Sequence, residues 1–153
     1  MRLAGTGHRS QKIGGFILPN PTYIYICQQI EKHLKELKPD SVISGGAIGF
    51  DQYLANVAIN LGIPLTIAVP FKGQELKWPE KSQKQYHKLL NKASDIVIVS
   101  DGGYSAQKMR IRNEWMINNC DIVLACWDGS KGGTFNCINY AKSVKKNIIM
   151  INI

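Results

Sequence analysis

Short unbroken apolar runs alternate along this chain with longer segments in which apolar residues return every three or four positions. An unbroken run suits a strand buried on both faces, whereas the three- and four-residue return marks one face of a helix. Strands are therefore predicted at Arg2 to Gly7, Ser41 to Ser44, Pro64 to Val69, Asp95 to Val99, Asp121 to Trp127 and Ile148 to Ile153. Between the first two, Ile26, Ile30, Leu34 and Leu37 mark a helix that Thr22 can cap and Pro39 stops. Further helices are predicted from Phe50 to Leu61, closed by Gly62, from Pro79 to about Ala93, from Ser105 to about Asn118, and from Thr134 to Val144. Ser10 to Pro21 holds two glycines and two prolines and reads as an irregular loop; long loops in compact domains are often functional, so this one is expected to lie over a site. Strand and helix alternate throughout, which selects an α/β fold: a Rossmann-like, doubly wound parallel sheet in three αβα layers, with right-handed crossovers. The 153 residues suit one domain over 1–153.

Composition leaves that reading intact and narrows the partners. Apolar residues make up 44% and charged residues 20% of the chain, ordinary values for a folded globular protein. No apolar run is long enough to cross a bilayer, and the first residues lack the apolar core of a signal peptide, so a cytoplasmic protein without membrane contact is expected. Cys27, Cys120, Cys126 and Cys137 form no Cys-x-x-Cys pair and lie far in sequence from His8, His33 and His87, so neither a metal nor another cofactor is expected. Three of the four cysteines sit in apolar stretches and read as buried free thiols. A net charge of +8 favours an anionic partner, phosphate or nucleic acid alike. Much of that excess, Lys77, Lys81, Lys84 and Lys88 included, reads as the solvated faces of helices.

In an open parallel sheet the ligand sits beyond the carboxyl ends of the strands, where strand order reverses. The segments to inspect are therefore Thr6 to Arg9, Ser44 to Asp51, Pro70 to Trp78, Ser100 to Ser105 and Asp128 to Asn136. Ser44-Gly45-Gly46-Ala47-Ile48-Gly49-Phe50-Asp51 is a glycine-rich turn opening a helix, where backbone amides and the positive helix end can meet a phosphate. Asp128-Gly129-Ser130-Lys131-Gly132-Gly133-Thr134-Phe135-Asn136 repeats the arrangement, with Thr134 able to cap the helix or offer its hydroxyl. Neither turn has the spacing of a P-loop or of a dinucleotide fingerprint.

Gly45-Gly46-Ala47 with Gly49 and Asp51, the stretch Met109-Arg110-Ile111-Arg112-Asn113-Glu114-Trp115-Met116, and Gly132-Gly133-Thr134 together resemble the SLOG superfamily, which unites DprA (Smf) proteins with LOG phosphoribohydrolases. Gly7-His8-Arg9 at the start, and Arg112-Asn113 followed by Asp128 and Gly-Gly-Thr, are most similar to its compact YpsA-like branch, which includes phage-encoded members. The resemblance spans nearly the whole chain and implies a Rossmann-like fold, homo-oligomers (dimer or tetramer), and a site for nucleotides or ADP-ribose-like ligands. LOG enzymes cleave a nucleoside monophosphate with an Arg from Met-x-x-Arg-Lys-x-x-Met and a Glu from Pro-Gly-Gly-x-Gly-Thr-x-x-Glu. Here Met109, Arg112 and Met116 match the first pattern, but Asn113 replaces its Lys, and Cys137 stands where the Glu belongs. A neutral thiol does not replace a carboxylate beside an oxocarbenium-like centre.

The candidate catalytic residues, should the chain be an enzyme, are Arg112 with Asp51 or Glu114; Asp51 can equally complement a helix dipole. Arg112 is expected to grip phosphate bidentately, and Asn113 and Asn136 to read a ribose or base. His8 and Arg9 end the first strand, where an imidazole can donate to phosphate. Pro70 and Phe71 follow the third strand, and Phe71 and Trp78 can stack on a base, although Trp78 before Pro79 can also staple the helix start. With Thr6, Gly7, Ser44, Asp128 and the glycines above, these form the expected ligand-binding set. The expected function is to hold a phosphorylated nucleotide-type small molecule such as ADP-ribose, a cyclic ADP-ribose or a nucleoside monophosphate. Alternatives are a nucleotide N-glycosidase and, less favoured, single-stranded DNA binding of the DprA kind.

Overall fold

A computed structural model describes all residues, Met1–Ile153. Six strands, β1 (Arg2–Gly7), β2 (Ser41–Ser44), β3 (Leu65–Val69), β4 (Asp95–Ile98), β5 (Ile122–Trp127) and β6 (Asn147–Asn152), form one sheet. Its order is β4-β3-β2-β1-β5-β6, and every neighbouring pair is parallel. Five helices connect them: α1 (Pro21–Leu37), α2 (Phe50–Asn60), α3 (Glu80–Lys92), α4 (Ala106–Asn118) and α5 (Gly133–Ser143). The first three connections step outward from β1 to β4, so right-handed crossovers put α1, α2 and α3 on one face. The fourth returns past β1 to β5 and puts α4 and α5 on the other. The three-layer, doubly wound arrangement expected of the sequence is the one observed.

Side chains of successive strand residues face opposite layers, and the two layers are filled differently. Leu3, Val42, Leu65, Ile67 and Leu124 meet Ile26, Ile30, Leu34, Phe50 and Leu54 of α1 and α2. On the opposite face Ala4, Ile43, Ala68 and Val123 meet Met116, Ile117, Cys137 and Ala141 of α4 and α5. The smaller strand residues there let α4 come close, which brings Arg112 into contact with the strand ends. At the free edge, β4 keeps Ile96 and Ile98 44% and 52% exposed.

The elements start and stop within a few residues of expectation, with two instructive shifts. α1 begins at Pro21, not beyond Thr22: Asn20 is the cap, its side chain accepting from the Tyr23 amide at 2.9 Å, and proline at the first position is pre-set for a helix. α5 begins at Gly133, so Thr134 lies inside its first turn and Gly132 occupies the cap without a side-chain hydrogen bond. Ser105 does cap α4, accepting from the Lys108 amide at 3.1 Å. All four cysteines are free. Burial pushes the thiols of Cys126 and Cys137 up to about 12 and about 11, so neither is a thiolate nucleophile near neutrality. No three His, Cys, Asp or Glu side chains cluster as metal ligands, and no helix is long and apolar enough to cross a membrane.

Candidate functional site

Strand order reverses between β1 and β5, and a cleft of about 850 Å³ opens over their carboxyl ends. Thr6, Gly7, His8 and Arg9 supply its floor from β1, Gly132, Gly133 and Thr134 one wall from α5, and Asp51, Arg112 and Asn113 a second. Phe71, Trp78 and Tyr104 form the far side, with Lys12, Lys72 and Lys77 lining the same space.

The turn after β2 does not offer its amides to a ligand, contrary to the expectation of two phosphate cradles. The Gly46 amide donates to Ser44 Oγ at 3.2 Å, the Ala47 amide to Asp51 Oδ2 at 3.3 Å, and the Phe50 amide to the His8 carbonyl at 3.1 Å. Ser44 is fully buried and donates its own hydroxyl to the Asp51 carbonyl. A Cβ at Gly45 would lie 2.7 Å from the Arg112 guanidinium carbon. Glycine is present there to admit the arginine. Gly49 has φ +117°, and a Cβ there would stand 2.7 Å from the His8 carbonyl oxygen. Backbone cannot retreat as a flexible side chain can, so Gly49→Ala is expected to cost about 2–3 kcal/mol, read as a lowered denaturation midpoint. Ser44, Gly45, Gly46, Ala47 and Gly49 thus shape the site from behind without lining it.

Arg112 is only 3% exposed. Its Nη1 donates to the carbonyls of Gly45 and Ala68 at 2.8 and 2.9 Å, and its Nε to Asn113 Oδ1 at 3.0 Å. That commits two of three nitrogens and rules out the expected bidentate grip on phosphate; Nη2 alone has no partner in the protein and faces the cleft. Burial pushes the guanidinium down, while the charge of Asp51 pushes it back up. Burial likewise raises the Asp51 carboxyl, against the pull of Arg112 and then Arg9.

The turn after β5 differs, because its donors stay open. Gly133, Thr134 and Phe135 open α5, where first-turn amides have no intrahelical acceptor, and no side chain caps them. The Asp128 carboxyl is held well below the usual range by the hydroxyl and amide of Ser130, with His8 adding to the effect. His8, 6% exposed, brings Nε2 to 2.9 Å from Asp128 Oδ1 and so ties the ends of β1 and β5 together.

Asp128, also expected to bind ligand, spends its carboxylate on His8 and Ser130 and does not line the cleft, and three further expected site residues fall elsewhere. Glu114 lies on the outer side of α4, its Oε2 3.6 Å from Arg110 Nε, and lines an adjoining groove between α4 and α5 rather than the cleft. Asn136 lines that groove too, because a helix that starts at Gly133 turns position 136 away from the cleft. Pro70 spends its carbonyl on the Ser100 amide at 3.1 Å and does not reach the cavity. Conversely, Lys77 is no helical surface residue: it precedes α3 and lines the cleft. Lys12, Lys72, Gln74 and Tyr104 were absent from the expected set, since isolated loop residues carry no periodic signal. Tyr104 meets Phe71 edge to face at 6.0 Å, and Trp78 packs on Tyr86 at 5.2 Å, so Trp78 both staples α3 and borders the cleft.

A sequence model of the YspA SLOG family (YpsA) matches residues 3–152. The chain belongs to that family. The uncharacterized SPbeta prophage-derived protein YoqJ of Bacillus subtilis is 34% identical over 145 residues, covering 82% of this chain and 85% of YoqJ. The UPF0398 protein BH1768 of Halalkalibacterium halodurans is 28% identical over 138 residues, 84% of this chain and 73% of that protein. The DNA processing protein A of Helicobacter pylori, whose structure was described for its single-stranded DNA binding mode, superposes with a TM-score of 0.70 at 18% identity. That match covers 98% of this chain but 64% of the Helicobacter protein, and at such identity it shows a shared fold alone.

Proposed function

We propose that this SLOG protein holds a phosphorylated nucleotide-type small molecule, of the ADP-ribose or nucleoside monophosphate class, in the cleft over β1 and β5. The observation that carries the reading is the pairing of unsatisfied donors on one side with an aromatic wall on the other. Three open amides of α5 and Arg112 Nη2 suit phosphate oxygens. Phe71 and Tyr104 suit a base, and a cavity of about 850 Å³ is of ligand-site size. Lys12, Lys72 and Lys77 add attraction for the anion.

Holding is favoured over cleavage by the carboxylates. Asp51 is the single acidic residue lining the cleft, and Cys137, at the position of the LOG glutamate, is buried and carries a neutral thiol. Cleavage of a glycosidic bond generally draws on two carboxyl groups. A melting series with ADP-ribose, cyclic ADP-ribose isomers, NAD and nucleoside monophosphates tests the reading. At a hundredfold excess over Kd, a bound ligand adds about 2.7 kcal/mol, or roughly 5–10 °C for a chain of this size. A flat melting temperature across the panel defeats the proposal, and recovery of hydrolysed nucleotide replaces holding with catalysis.

A second reading, single-stranded DNA binding, draws on the net charge of +8 and on the lysines of the cleft. It expects a gel shift that weakens steeply with added salt, since bound phosphates release counterions.

A further inference from the structure

We infer that the groove between α4 and α5 is a second ligand subsite, taking an uncharged sugar carried on the far side of the phosphate. The inference rests on the binding function proposed above and narrows its ligand to nucleoside diphosphate sugars. The groove has a volume of about 770 Å³ and meets the cleft along one border, because Ala106, Met109, Asn113 and Gly133 line both. Its shape follows from the two helices. Toward their C-terminal ends α4 and α5 are closed against each other: Met116 and Ile117 share a core with Cys137 and Ala141, and Tyr140 donates its hydroxyl to Asn118 Oδ1 at 2.9 Å. Both N-terminal ends stand over the carboxyl ends of the strands, and there the mouth is lined by Ala106 and Gly133, too small to fill the gap.

The open amides of α5 begin at that border, so a phosphate held on them has the cleft on one side and the groove on the other. The two spaces differ in charge. The cleft sets Arg9, Lys12, Lys72, Lys77 and Arg112 against the one carboxylate of Asp51. In the groove Arg110 and Glu114 cancel, and the remaining polar groups are the amides of Asn113 and of exposed Gln107 and Asn136. The Asn113 amide has a fixed orientation, because a guanidinium nitrogen can only donate: Oδ1 accepts from Arg112 Nε at 3.0 Å, which leaves the Nδ2 donors over. A space without net charge gives a second phosphate no counter-ion. Nor does it suit a second base, since its single aromatic residue, Tyr140, is packed against the core beneath. Amides both donate and accept, as do the hydroxyls of a sugar.

Calorimetry of the whole chain with AMP, ADP and ADP-ribose separates the two spaces. ADP-ribose is less negative than ADP near neutrality, so the cationic cleft by itself favours ADP, and tighter binding of ADP-ribose reads the sugar. The expected result is an affinity for ADP-ribose about tenfold above that for ADP, as a few added neutral hydrogen bonds allow. Asn136→Leu removes an amide from the groove and Asn136→Trp fills it. Both are expected to bring ADP-ribose to within about threefold of ADP while AMP and ADP bind as before, with the melting temperature of the free protein unchanged. ADP-ribose binding no tighter than ADP, an advantage kept in both variants, or an equal loss for all three nucleotides overturns the subsite and leaves the binding function standing. Failure of the unaltered protein to bind any of the three overturns both.

Discussion

Arg112→Met will lower folding stability by about 3–5 kcal/mol, the cost of removing one member of a buried charged network. The guanidinium satisfies the carbonyls of Gly45 and Ala68 at once, and both lie in the interior. Methionine replaces the volume and none of the donors. The loss will also depend on pH, through Asp51, whose carboxyl burial already raises and Arg112 pulls down. Without Arg112 the folded carboxyl rises further above its unfolded value. A carboxyl raised by folding binds more protons in the native state, so stability falls as pH climbs from the unfolded value through the folded one. The deficit of Arg112→Met is thus smaller near pH 5 than near pH 8. Urea denaturation at those two pH values checks both parts, and an equal deficit at each removes Asp51 from the account. Arg112→Lys restores the charge and a single ammonium donor group without the planar fork and should recover only part of the stability. Its ligand affinity separates the structural duty of Nη1 from the ligand-facing duty of Nη2.

That dual duty shows where sequence reasoning reached and where it stopped. The order of elements was legible because each strand is a short, largely apolar run and the helices show an apolar face or a cap, down to Ser105 at the start of α4. The rule that sites lie past strand ends points to Thr6 to Arg9 and to Asp128 onward from the sequence alone. It did not tell which strands are neighbours, and the β1–β5 reversal that brings those two segments together comes from long-range packing. Nor do glycines announce what they approach. The Gly45–Gly46 and Gly132–Gly133 turns look alike in sequence, yet one is occupied by an arginine 67 positions away and the other is open. Glu114 and Asn136 illustrate the same limit: each is close in sequence to a cleft residue, and one step around a helix carries it into a different groove. Tyr104 and Lys72, on loops without periodicity, become site residues only through the fold.

The open turn is also where binding and stability can be made to move apart. In Gly133→Asp, the new side chain finds space, since a Cβ at Gly133 meets nothing within 4 Å. A carboxylate in the first turn complements the helix dipole and supplies an acceptor for α5 amides that lack one, a gain of about 0.3–1 kcal/mol. The melting temperature should hold or rise by roughly 1–3 °C. The same carboxylate occupies the position assigned to phosphate and repels it: at about 4 Å and an effective dielectric near 20, like charges cost about 4 kcal/mol, so affinity should fall at least a hundredfold. Most mutations that abolish binding also weaken the fold, and this one is expected to do the opposite. Gly133→Ala, which adds the Cβ without the charge, should bind within about fivefold of the unaltered chain, as the site has room for a methyl group. Calorimetry with ADP-ribose on both variants, beside their melting curves, decides the matter. Affinity retained in Gly133→Asp would mean that the anion does not sit at the α5 terminus, and the lysines and aromatic residues across the cleft would then have to hold the ligand without it.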